Sequence, residues 1–210
     1  MNERFLAFVS LGLFPLTGAA QALARDSVVY DLAPASHLVV RTGKAGLLGF
    51  AGHEHLIQAR EFSGSIVYYP DQPGASHVTV SIATERLEVL TPPDTAEIRK
   101  VTAAMRVDVL DVAQHPEITL TSQSVEEAGD TLRVQAALTI KGQTRTVPLV
   151  VRVRIGQDTL RANTAFKVRQ SDYGIRPYRG GPAGTVRVAD AVTFDIDVVA
   201  LRRRSLNLSR

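Results

Sequence analysis

Two histidines one residue apart, in Gly52-His53-Glu54-His55, have the spacing in this chain best suited to chemistry. Residues i and i+2 of a strand share a face, so both imidazoles could be offered to zinc, copper or iron. A site needs a third or fourth donor, and His37, His77, His115 and Glu61 are the remaining candidates. The plainer role for the pair is polar, at a loop rim with bonds to the backbone. A metal-binding cupin barrel would need a further late histidine, and none follows His115. Nucleophilic hydrolysis has less footing still: there is no cysteine and no Gly-x-Ser-x-Gly elbow. Ser171 and Asp172 are neighbours on a turn, where side chains point apart, so an Asx-type turn ahead of Gly174 is their expected role. Arg176, Tyr178 and Arg179 could meet a polar headgroup or simply stand in water. No residue is expected to be catalytic, and the chain does not read as an enzyme. The rival reading is a metal-binding protein or metal-dependent enzyme built on His53 and His55.

The elements that would position these groups are strands. In residues 131–155, Leu132, Val134, Ala136, Leu138 and Ile140 alternate with polar or small residues. After Lys141-Gly142-Gln143-Thr144 the alternation resumes with Val147, Leu149, Val151, Val153 and Ile155. A period of two makes strands and cannot be wound into an amphipathic helix. Lys-Gly between the runs suits a hairpin turn. A slip of one residue would turn the apolar face to water, so the register is fixed.

Further strands are expected around Pro34 (residues 28–32 and 38–42), through Phe62, Gly64, Ile66 and Tyr68, and from Val78 to Ile82. Others pass through Ile118, Leu120 and Ser122, through Leu160 to Val168, and from Val186 to about Leu201 with Val192, Phe194, Ile196 and Val198 inward. Residues 43–52 form a glycine-rich apolar bend, bulge or flap, and residues 170–184 the one long loop. A single helix is expected from Thr91, with Pro92 and Pro93 in its first turn, Asp94 completing a cap, and Ile98, Val101 and Met105 against the sheet. The fold class is all-β: an antiparallel barrel of about eight strands, which leaves no open edges, with one inserted α-helix. Many inward residues are small, so the interior is expected to have room.

Of the 210 residues, 45% are hydrophobic and only 6% aromatic, with a net charge of +3. Without cysteine there is no disulfide, no thiolate metal site and no lipid-anchored cysteine. No basic stripe interleaves with aromatics, which argues against nucleic acid as a partner. Residues 5–16, FLAFVSLGLFPL, are too short an apolar run to span a bilayer, which takes about 20 residues. Ala22-Leu23-Ala24 follows as a small-x-small cleavage site. The expected organisation is a signal peptide over 1–24, a barrel domain over 25–201 and a basic tail over 202–210, in a periplasmic protein without a membrane span.

Several segments carry a family resemblance: Ser36-x-Leu38-x-Val40; Phe62-Ser63-Gly64-Ser65-Ile66; Asp108 to Val112 followed by His115-Pro116-Glu117-Ile118; Leu138-Thr139-Ile140-Lys141-Gly142-Gln143-Thr144-Arg145; and Ser171-Asp172-Tyr173-Gly174-Ile175. Together, over about residues 28–201, they resemble the YceI-like family of exported bacterial proteins. The histidine pair departs from the single histidine usual in the family's early loop, and His115 stands where the family usually has an aromatic. The resemblance implies an extended lipocalin-like barrel enclosing a long apolar ligand such as a polyisoprenoid, a quinone-like molecule or a fatty acyl lipid, with no other cofactor. Phe50, Leu138, Phe166 and Tyr173 are the implied lining, and Phe194 joins them from its inward stripe. Monomer and homodimer both remain open. The exported protein should begin at Arg25; an intact mass that still includes Met1 to Ala24 would refute this.

Overall fold

Strand alternation dictates almost everything in the architecture. A computed structural model describes residues 26–45, 54–91, 95–180 and 186–204. The chain runs β1 (Val28–Leu32), β2 (His37–Ala45), β3 (Leu56–Ala59), β4 (Phe62–Tyr68), β5 (His77–Ala83), β6 (Leu87–Val89), α1 (Thr95–Ala104), β7 (Glu117–Ala128), β8 (Thr131–Ile140), β9 (Gln143–Ile155), β10 (Thr159–Arg169), β11 (Arg179–Gly180) and β12 (Val186–Arg202). The β8–β9 hairpin pairs from Ile140↔Gln143 back to Leu132↔Val151. Its turn is Lys141-Gly142, with φ of 49° and 69°. This primed two-residue turn matches the twist of the flanking strands. Val134, Ala136, Leu138, Ile140, Val147 and Leu149 are buried, while Ile155, placed inward by the pattern, is 45% exposed at its strand end.

Pairing proceeds β1-β4-β5-β7-β8-β9-β10-β12, and β12 returns to β1, so eight antiparallel strands close a ring. β12 is long enough to serve two partners. Its C-terminal part pairs with β1 (Leu32↔Ala200 to Tyr30↔Arg202), and residues 187–197 pair with β2. Between β1 and β2 the chain bends at Pro34, which has no N–H to give a ladder. Ser36 fills the gap: its buried hydroxyl donates to the Val199 carbonyl and accepts the Val199 N–H, both at 3.0 Å. At the far end of the ring, Arg203 donates to both carboxylate oxygens of Asp31, so this residue of the expected basic tail is fastened to β1.

Beyond the ring, β2 pairs with β3 and β3 with β6, extending one end of the barrel. β3, β6 and β11 were not expected; at four, three and two residues they are too short to show a period. β11 pairs with the start of β12, so the segment expected as one long loop contains a strand, and a 3₁₀ turn over Gln170–Tyr173 as well. The expected first turn of the helix, residues 92–94, lies outside the described residues; the Thr91 hydroxyl donates to the Glu54 carbonyl and accepts the Leu56 N–H. Ile98, Val101 and Met105 do pack on the core. The helix then widens into a π turn over Met105–Val109, tied to the hairpin by Lys141 Nζ donating to the Val109 carbonyl at 3.2 Å.

The ring has one seam. β9 and β10 pair only from Leu160↔Ile155 to Asn163↔Arg152. Counting back from the two-residue turn, Gln135 and Pro148 form a non-hydrogen-bonded pair, so the Pro148 nitrogen faces β10. Thr139 and Thr144, a pair of the same kind, bring their hydroxyls to 2.8 Å, as the closer side-chain approach there requires. Pro148 has no hydrogen to donate, so its nitrogen can give no ladder bond toward β10.

Gly64 permits a close approach of β4 to β5: a Cβ there would lie 2.4 Å from the Thr79 carbonyl oxygen. Gly64→Ala should therefore cost about 1–3 kcal/mol, despite the smaller entropic gain from losing a glycine. A denaturant midpoint equal to wild type would contradict the β4–β5 register.

Candidate ligand cavity

The inward faces of the ring enclose two apolar cavities that follow one another along the axis. The first, of about 150 Å³, lies toward the β7–β8 turn and reaches Tyr68, Val125, Leu132 and Val151. The second, of about 110 Å³, lies under the helix and the β2–β3–β6 extension, among Ile57, Leu87, Met105, Ile140, Tyr173 and Val192. Leu38, Ile82, Ile118, Phe194 and Ile196 border both, so the two are neighbours across a shared collar. The room exists because the stripes that face inward are mostly Val, Leu, Ile and Ala. An eight-stranded ring is at the size where side chains either fill it or leave space for one ligand. These walls offer water little to bond, and apolar cavities of this kind stay dry.

Across the middle stand two aromatic rings. Phe166 and Phe194 are direct cross-strand partners of β10 and β12, stacked with centroids 4.9 Å apart and planes 8° from parallel. Both line the first cavity, with Leu138, and Phe194 also borders the second. Tyr173 reaches the second cavity from the 3₁₀ turn after β10; it is 1% exposed and its hydroxyl has no hydrogen-bond partner among the described residues. Burial first, and the Asp172 charge second, push its phenol above the usual range, against a smaller pull from Arg145, so it stays neutral. Thr164 of the first cavity also has a buried hydroxyl without a partner, next to the seam. Phe50 lies outside the described residues.

The candidate metal ligands are scattered. His53 lies outside the described residues. His55 places Nδ1 2.8 Å from the Thr91 carbonyl, an anchoring role for a loop-rim histidine. His37 opens β2 opposite Asp197, His77 borders the first cavity, and the His115 ring lies against the turn at Gly142. Glu61 pairs with Arg86 at 3.2 Å. Among the described residues no three His, Cys, Asp or Glu side chains converge.

Ser171 engages a residue that no local motif indicates. Asp190 of β12 accepts both the Ser171 N–H at 2.9 Å and its hydroxyl at 2.7 Å. The turn at Gly174 is thus braced from the neighbouring strand β12. Gln170 adds a second brace, donating through Nε2 to the Ala189 carbonyl at 2.8 Å. Arg176 and Tyr178 face solvent. The helix side of the second cavity, with Met105 and Leu110, went unrecognised as a wall. Its only sequence signal was the Ile98-Val101-Met105 stripe, which marks a buried face but not a hollow behind it.

A closed antiparallel ring around an axial apolar space defines the class of lipocalin-like barrels. Within it, the chain belongs to the YceI-like family, whose domain model matches residues 30–200. A UPF0312 protein of Azotobacter vinelandii is 28% identical over 183 residues, 84% of this chain and 89% of its own. Protein YceI of Escherichia coli O17:K52:H18 is 33% identical over 98 residues, 47% of this chain and 48% of its own. Among solved structures, Burkholderia cenocepacia BcnA superposes with a TM-score of 0.63 at 18% identity, covering 80% of this chain and 98% of that one. A polyisoprenoid binding domain from Saccharophagus degradans gives 0.57 at 14% identity, over 83% of this chain and 98% of that one. Both share the barrel. Among the described residues no helix is long and apolar enough to cross a membrane.

The two Ser171 bonds hold the Asp190 carboxyl below its usual range. A group with a lowered folded pKa contributes stability above its unfolded value, near 3.9, and loses it as pH falls through the folded one. Asp190→Asn keeps an acceptor for Ser171 but cannot titrate. Melting curves below about pH 4 should therefore fall less steeply for the variant than for wild type, by an amount its surface position keeps small. Parallel curves would show that the brace does not depend on charge.

Proposed function

We propose that this protein is an exported, periplasmic binding module that shelters one long apolar ligand, of the polyisoprenoid or similar lipid class, inside its barrel. The observation that carries this reading is the pair of apolar cavities on one axis, bordered in common by Phe194. Membership of the YceI-like family supports it, as does the polyisoprenoid-binding description of a structural neighbour. In this reading residues 1–24 direct export and are removed, and the barrel binds without catalysing. Phe166, Leu138 and Phe194 form the wall along the ligand chain, and Tyr173 stands at one end. The ligand supplies the dispersion contacts that neighbouring side chains supply in a filled core.

Phe166→Ala tests the point. In a solid core the truncation costs about 3–5 kcal/mol. Beside an open space it should cost the delipidated protein much less, chiefly the stacking with Phe194, about 0.5–1.5 kcal/mol. Bound lipid should add roughly 2.7 kcal/mol to wild type at a hundredfold excess over Kd. Denaturant midpoints of delipidated and native-extracted protein give all three quantities. Equal wild-type midpoints together with a full packing loss in the variant would end the carrier reading.

A further inference from the structure

Among the described residues three polar side chains stand in the wall of the second cavity, and two of them are bonded to the backbone. Thr42 accepts the His55 N–H at 3.0 Å, and Gln170 donates through Nε2 to the Ala189 carbonyl at 2.8 Å. The Tyr173 hydroxyl, on a side chain only 1% exposed, has no partner among the described residues. A buried hydroxyl left unpaired is unfavourable, and buried polar atoms are satisfied in nearly all proteins. Phenylalanine would fill the same space without that cost. The oxygen therefore lacks a counterpart that the chain itself does not provide.

The rest of the wall limits what that counterpart can be. Among the described residues no Lys, Arg, His, Asp or Glu borders the second cavity. An anionic head such as a phosphate or carboxylate would enter without a cation, and a buried charge without a partner is strongly disfavoured. A neutral oxygen meets no such penalty. The phenol, held neutral by burial, can donate to it or accept from it.

We infer that Tyr173 recognises a neutral oxygen, an alcohol or a quinone-type carbonyl, at one end of an apolar ligand, and so sets the ligand's direction in the barrel. The oxygenated end lies under the helix beside Tyr173, and the hydrocarbon runs past Phe194 into the first cavity. This rests on the carrier reading above, and narrows it from apolar lipids in general to those with an uncharged polar end.

The test uses delipidated full-length mature protein and three probes: geranylgeraniol, the hydrocarbon of the same carbon skeleton, and geranylgeranyl diphosphate. Wild type should bind the alcohol about tenfold more tightly than the hydrocarbon, the worth of one buried hydrogen bond, and more tightly than the diphosphate. Tyr173→Phe should weaken the alcohol to the hydrocarbon's affinity or below it, since the alcohol's hydroxyl would then be buried unpaired, and leave the hydrocarbon's own Kd unchanged. Thr164→Val, which removes the other unpartnered hydroxyl, should keep the preference for the alcohol. The ligand-free Tyr173→Phe protein should unfold at no lower denaturant concentration than wild type, because its hydroxyl has no partner to lose. A preference that survives Tyr173→Phe, a preference lost in Thr164→Val, tightest binding of the diphosphate, or a lowered midpoint for ligand-free Tyr173→Phe would each overturn the assignment while leaving the carrier reading standing. If no probe binds wild type, the carrier reading itself falls, and the assignment with it.

Discussion

Ring closure rests on β12, whose 17 residues are shared between two partners that the chain presents as one interrupted strand. The Val199 carbonyl still accepts the Ala33 N–H at 2.8 Å, but the interruption at Pro34 would leave the Val199 N–H short of a partner in the closing ladder. A single buried hydroxyl, Ser36, accepts that N–H and donates to the same carbonyl. Closure matters because an open eight-stranded sheet would expose two rows of unpaired backbone groups, while a ring exposes none at its junction. Every other property of the interior follows from that circumference. The strand count sets the diameter, and the inward residues decide how much of it is filled.

The filling is uneven. Leu and Val stripes narrow the ring without blocking it, and the stacked Phe166–Phe194 pair gathers much of the aromatic bulk at one level. On either side the wall returns to small aliphatic groups. Polar atoms are rationed: Thr42 and Gln170 are tied to the backbone, and the 3₁₀ turn that carries Tyr173 is fastened to β12 through Asp190. The inside of the barrel is thus specified from its ends, where short turns and capping bonds set the few polar groups in place.

Much of this was legible in the chain. The alternation from Leu132 to Val153 gave strand, face and register, and Lys141-Gly142 gave the turn, because each signal is local and repeats over many residues. The inward placement of Leu138, Phe166 and Phe194 came from the same periodicity. The bonds of Thr91 did not: its hydroxyl ties to Glu54 and Leu56, far away in sequence, which no local pattern shows. β3 and β6 were invisible because three or four residues cannot display a period, and what makes them strands is the partner beside them. Asp190 was hidden for a similar reason. Its role is defined by Ser171, on the turn after the neighbouring strand β10, and an aspartate in a strand pattern carries no mark of that.

The seam between β9 and β10 gives the wall a mechanical property. Elsewhere around the ring, moving two strands apart means breaking ladder hydrogen bonds. Beyond Asn163 and Arg152 these two strands share none, and Pro148 could not donate one. Parting the two strands at this place would break no ladder hydrogen bonds, so the wall there is held by side-chain packing alone, while the closing ladder with β12 stays intact.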